Sequence, residues 1–144
     1  MNGREFFEKI VVVFSILVLS VVTYLGGVGK AEAYYRCYAS ETRCADVYMS
    51  YGDQYIGSGS VYLYKGETAK VDFQTESNSL FHVAFAAYSS STGSRVSDWW
   101  YAAYAGGSDW VYFTAPSSGY YYLFAACDGG DDTRCEGGGT INGN

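Results

Sequence analysis

Few side chains in this sequence have chemical reach: one histidine, four cysteines, an acidic loop and an unusual number of aromatic rings. His82 is the only imidazole, and acid–base or nucleophilic chemistry near neutral pH most often needs one. It lies on the outer side of a regular alternating stretch, and no Gly-x-Ser-x-Gly elbow occurs. A Ser–His–Asp set would need the fold to bring Asp98 or Asp109 to it. Paired carboxylates for glycoside hydrolysis would have to come from scattered loops. The chain reads as a non-enzyme with a surface histidine.

The acidic loop Asp128-Gly129-Gly130-Asp131-Asp132 gathers three carboxylates and flexible backbone. Calcium accepts such oxygen ligands in irregular geometry, so Asp128, Asp131 and Asp132 form a candidate calcium site. The alternative is a solvated acidic turn, and no other cofactor is expected. The cysteines are Cys37, Cys44, Cys127 and Cys135. Neither pair has the C-x-x-C spacing of zinc sites and His82 is remote, so two disulfides are the reading. Three pairings are open. Cys37–Cys44 and Cys127–Cys135 are favoured because each pair brackets a short polar segment. The other pairings would clip the two ends of the domain together.

The chain of 144 residues carries 16 tyrosines, 8 phenylalanines, 3 tryptophans and 18 glycines, with a single proline. Tyrosine and β-branched residues favour strands, and glycine and serine favour the turns between them. Strands are expected at residues 34–38, 45–51, 60–64, 68–74, 80–88, 99–104, 109–114, 119–127 and 137–141. Lys65-Gly66-Glu67 makes a hairpin turn, and Ser89–Ser97 a serine-rich loop. No segment after Tyr34 holds a helical period. Short strands at near-regular spacing predict an all-β fold, an antiparallel β-sandwich of jelly-roll type with two disulfides.

Alternation with a period of two assigns the faces. Val61, Leu63, Val71, Phe73, Val111, Phe113, Leu123 and Ala125 face inward. Tyr62, Tyr64, Trp110, Tyr112, Tyr120, Tyr122 and Phe124 then face outward, where a sandwich normally carries polar residues. Flat rings on a rigid sheet suit sugar recognition, with Asp72 or Gln74 as polar neighbours. They suit protein contacts equally. Trp99-Trp100 offers a second contact point. The bland alternative is that the N-terminal segment covers some of these rings. The ligand-binding candidates are Tyr62, Tyr64, Trp110, Tyr112, Tyr120 and Tyr122. The partner is a cell-envelope glycan or a protein, with self-association into a structural subunit or a small bacteriocin-like factor as the other readings.

The N-terminus sets the compartment. Charged residues Arg4, Glu5, Glu8 and Lys9 precede an apolar run from Ile10 to Leu25, and the small-residue site Ala31-Glu32-Ala33 follows. This is the order of a secretory signal, with cleavage after Ala33. Residues 1–33 are the expected signal and 34–144 a single domain. The alternative is a retained anchor over residues 10–28, the one route to a membrane association. Either way the domain is exported. The formal net charge of −6 is unchanged by cleavage and repels polyanions, which excludes nucleic acid as a partner.

Two pieces of the sequence between Val61 and Ala125 resemble a known family. Tyr62-Leu63-Tyr64-Lys65-Gly66-Glu67-Thr68-Ala69-Lys70-Val71-Asp72-Phe73 is similar to its strand–turn–strand hairpin. Val111-Tyr112-Phe113-Thr114-Ala115-Pro116-Ser117-Ser118-Gly119-Tyr120-Tyr121-Tyr122-Leu123 is similar to a second one. The family is the pre-peptidase C-terminal domain of bacterial secreted proteins. The resemblance implies a small jelly-roll module and an association with secretion. It names no substrate.

Overall fold

The computed structural model describes residues 35–143; the expected signal or anchor lies outside the described residues. The strands are β1 (Cys44–Met49), β2 (Tyr55–Gly57), β3 (Val61–Leu63), β4 (Thr68–Thr75), β5 (Val83–Ser89), β6 (Trp100–Ala102), β7 (Ser108–Thr114), β8 (Gly119–Cys127) and β9 (Gly137–Gly143). A single 3-10 turn at Asp128–Gly130 follows β8. Among the described residues no helix is long and apolar enough to cross a membrane.

One sheet has the order β1-β9-β4-β7 and the other β2-β8-β5-β6, with β3 also paired to β8. All pairings are antiparallel. Each sheet thus draws on both halves of the chain, the winding of a jelly roll. Seven of the eight predicted inner residues are buried, and Val111, on β7, is half-buried. Val61, Leu63, Val71, Phe73, Phe113, Leu123 and Ala125 are buried in one core with Phe85, Tyr121 and Ile141. The Phe73 and Phe85 rings stack across the two sheets at 6.1 Å. Burying such side chains contributes roughly 1.5–3 kcal/mol each.

Three expectations change. Residues 35–38 form no strand, although Tyr35 and Tyr38 favour one. β2 was not expected, because its three residues end on Gly57 and sit among Gly52, Ser58 and Gly59. Ala84 and Ala86, which by the period of two share the outer side with His82, are buried.

β9 carries four glycines in seven residues yet lies between β1 and β4. A Cβ at Gly139 would come within 2.1 Å of the Asp72 carbonyl oxygen and 2.8 Å of the Phe73 ring. The bare backbone at Gly139 makes room for that ring in the core.

Both favoured disulfides are present, Cys37–Cys44 and Cys127–Cys135, and no described cysteine is free. Closing loops of this size stabilises by about 2–3 kcal/mol each in the chain-entropy model. Disulfides form and persist in oxidising compartments, so the domain belongs at the cell surface or beyond it.

Candidate functional site

The strand order divides the predicted aromatic face in two. Tyr62 of β3 lies opposite Tyr120 of β8, and both project from the outer face of the second sheet. Trp110 and Tyr112 of β7 lie opposite Asp72 and Lys70 of β4, on the outer face of the first sheet. The two groups stand on opposite sides of the sandwich, so the six residues do not form one surface.

The first group is a wall of three rings. Tyr62 packs edge-to-face against Tyr64 at 5.3 Å and against Tyr120 at 5.1 Å. All three remain open to solvent, at 40%, 65% and 57% exposure respectively. Tyr122 does not join them. It is half-buried, 5.7 Å from Tyr88, with the Gly57 backbone against its ring. Tyr88 in turn packs on Phe124 at 4.9 Å, and Trp99 packs on both.

Beside the wall lies an open groove of ≈ 400 Å³ lined by Thr42, Arg43, Ser60, Tyr62, Tyr64 and Tyr120, among others. It runs between β1, at the edge of one sheet, and β3, at the edge of the other. Arg43 is held across this seam. Its guanidinium donates to the Glu67 carboxylate at 2.7 Å and to the Tyr62 carbonyl at 3.1 Å. The hydrogen bond from Arg43 holds the Glu67 carboxyl below its usual range, and the bond to Glu67 raises the guanidinium in turn. The backbone N–H of Tyr64 donates to the other Glu67 oxygen at 2.8 Å, fixing the turn that presents the Tyr64 ring. The groove is therefore polar but locally charge-balanced.

Arg43, Thr42 and Ser60 were not singled out from the sequence. No motif marks them. Thr42 and Arg43 reach the tyrosines through the Arg43–Glu67 contact, which joins residues far apart in the chain, whereas Ser60 directly precedes β3.

The second group is smaller. Trp110 and Tyr112 are about half exposed and meet edge-to-face at 5.7 Å. Lys70 Nζ stands 5.1 Å from the Tyr35 ring and 5.6 Å from Trp110, so the segment before β1 reaches over this sheet. Asp72 beneath it is 2% exposed. It accepts from the Thr140 N–H and hydroxyl, both at 2.9 Å, and pairs with Lys70 at 3.2 Å. Burial pushes its carboxyl above the ordinary value despite these bonds. Asp72 is thus a buried structural group, not a polar neighbour of the tyrosine wall. Trp99 and Trp100 form no joint contact point either, because Trp100 turns inward to Phe85 at 5.9 Å.

The three loop aspartates do not converge. Asp132 is tied to Arg134, which donates at 3.0 and 2.8 Å, and that bond holds its carboxyl well below the usual range. Asp128 Oδ1 is 3.3 Å from His82 Nδ1. Among the described residues the one group with metal-ligand spacing is Cys37, Glu41 and Cys44, whose sulfurs are already joined to each other. Asp128 and Asp132 thus each engage a different side chain rather than facing one another. The residue beside His82 is Asp128, not Asp98 or Asp109, and the Tyr101 ring closes its other side at 5.4 Å.

No family model and no curated protein sequence matches the chain. Similar solved structures exist. The pre-peptidase C-terminal domain of the collagenase from Bacillus anthracis is 15% identical, with a TM-score of 0.42, over 69% of this chain and 85% of that one. It is of the family that the two hairpin motifs resemble. CorA, a surface-associated copper-binding protein of Methylomicrobium album BG8, is 9% identical, with a TM-score of 0.46, over 74% of this chain and 96% of that one. A protein of Bacillus endospore appendages, which form disulfide-linked pili, is 13% identical, with a TM-score of 0.33, over 76% of this chain and 96% of that one. All three likenesses are weak in outline and say nothing of this chain's ligand.

Proposed function

We propose that this protein is a non-catalytic recognition module, exported from the cell, that binds a neutral saccharide of the cell envelope through Tyr62, Tyr64 and Tyr120. The observation that carries the reading is the wall itself: three exposed rings locked edge-to-face beside an open polar groove. Tyrosine offers an apolar face for sugar C–H groups and a hydroxyl at its tip, at low entropic cost. Thr42 and Ser60 add hydroxyls within the groove. Arg43 and Glu67 neutralise each other there, which favours an uncharged ligand over an acidic one. The net charge of −6 also opposes polyanions.

Co-sedimentation with insoluble cell-wall and polysaccharide preparations tests the reading. The unmodified protein is expected to pellet with at least one preparation. The Tyr62→Ala, Tyr64→Ala, Tyr120→Ala variant is expected to stay in the supernatant. A Tyr101→Ala, Tyr104→Ala variant removes exposed rings elsewhere and is expected to pellet normally. Unmodified protein left in every supernatant contradicts the proposal.

A further inference from the structure

The first sheet ends on β7, and the phase of its hydrogen bonds decides which groups face the open side. Thr75 N–H donates to the Gly107 carbonyl at 2.9 Å, and Ala115 N–H to the Glu67 carbonyl at 2.8 Å. In an antiparallel ladder hydrogen-bonded pairs alternate, so residues 109, 111 and 113 bond to β4. Ser108, Trp110, Tyr112 and Thr114 turn their N–H and C=O groups to the open side. Among the described residues only the Trp110 N–H has a partner there, Asp109 Oδ1 at 2.8 Å.

Exposed edges of this kind are normally blunted by lysine, proline, a bulge or an inward-pointing charge. β7 has the sequence SDWVYFT, with no lysine and no proline; its one charge, Asp109, lies on the inward side with Val111 and Phe113 and is the single blunting device of this strand. Its two outward rings, Trp110 and Tyr112, are half exposed.

We propose that β7 is a docking edge for a second copy of this chain, β7 pairing antiparallel with β7 across a two-fold axis at Val111. The edge is complementary to itself in that register. Trp110 meets the partner's Tyr112 and Tyr112 meets the partner's Trp110, giving two aromatic cross-strand pairs on one face. Ser108 meets the partner's Thr114. The one charge, Asp109, falls opposite the partner's Phe113, so like charges do not face each other. Every outward N–H and C=O then lies opposite its counterpart, as a closed two-fold interface requires. The two first sheets become one continuous sheet, and the tyrosine walls remain free on the far faces.

Analytical ultracentrifugation of the full chain, as released by an exporting host, tests this over a wide concentration range. A concentration-dependent dimer is expected. Tyr112→Pro removes an outward N–H and leaves the β4 ladder intact, because Tyr112 does not donate to β4. It is expected to raise the dimer dissociation constant at least about tenfold, with far-UV spectrum and disulfides unchanged. Tyr112→Lys, a gentler edge charge, is expected to act in the same direction. Val111→Cys places two thiols at a non-hydrogen-bonded pair, Cα atoms roughly 4.5 Å apart, and is expected to cross-link on oxidation. A monomer at every concentration overturns the proposal and leaves the edge to a strand of some other protein. A dimer undiminished in both Tyr112 variants overturns it as well.

Discussion

Asp72 shows how one residue can look functional in a sequence and prove structural in a fold. Alternation along β4 places it outward, where a carboxylate would serve a ligand. The outer face at that point is covered, however, and its oxygens are taken by Thr140 and Lys70. Burial raises its pKa from the ordinary 3.8, so the folded chain keeps this proton to higher pH than the unfolded chain does. The resulting stability is complete below 3.8 and is lost as pH rises through the raised folded value. Asp72→Asn keeps an acceptor for Thr140 and removes the titration. Urea unfolding of both proteins across the acid range checks this: the free energy of the unmodified protein minus that of the variant is expected to fall as pH rises. Glu67 and Asp132, whose pKa values are lowered, act in the opposite sense but are common to both proteins. A flat or rising difference would contradict the account of Asp72.

Among the elements, β4, β7 and β8 were legible because alternation and turn residues bracket them. β8 runs from Gly119 to Cys127 as the sequence predicts. β2 was not, since three residues carry no usable period and their neighbours are turn formers. β9 is the instructive case. Its glycines argue against a strand by propensity, yet close approach to β4 requires them. Gly139→Ala must displace backbone or the Phe73 ring, and is expected to lower stability by about 1–3 kcal/mol in urea unfolding. An unchanged midpoint would mean that β9 and β4 lie farther apart than described.

For the whole molecule, a period of two tells which residues of a strand share a face but not which sheet the strand joins. Tyr62 and Tyr112 are both outward, and from sequence they read as one surface. Strand order puts β3 and β7 in different sheets, which turns one aromatic face into two sites on opposite sides. The tyrosine wall gains a groove from Arg43 and its neighbours, while Trp110 and Tyr112 are left to flank an open strand edge. A ligand that recognises the wall should therefore leave the β7 rings undisturbed. The most direct measurement is an NMR titration of soluble cell-wall polysaccharide fragments into the protein with ring-labelled tyrosine and tryptophan. The rings of Tyr62, Tyr64 and Tyr120 are predicted to shift together along one saturating curve, with Trp110 and Tyr112 unmoved. Shifts confined to Trp110 and Tyr112, or no shift at any of the five, would contradict saccharide recognition by the tyrosine wall.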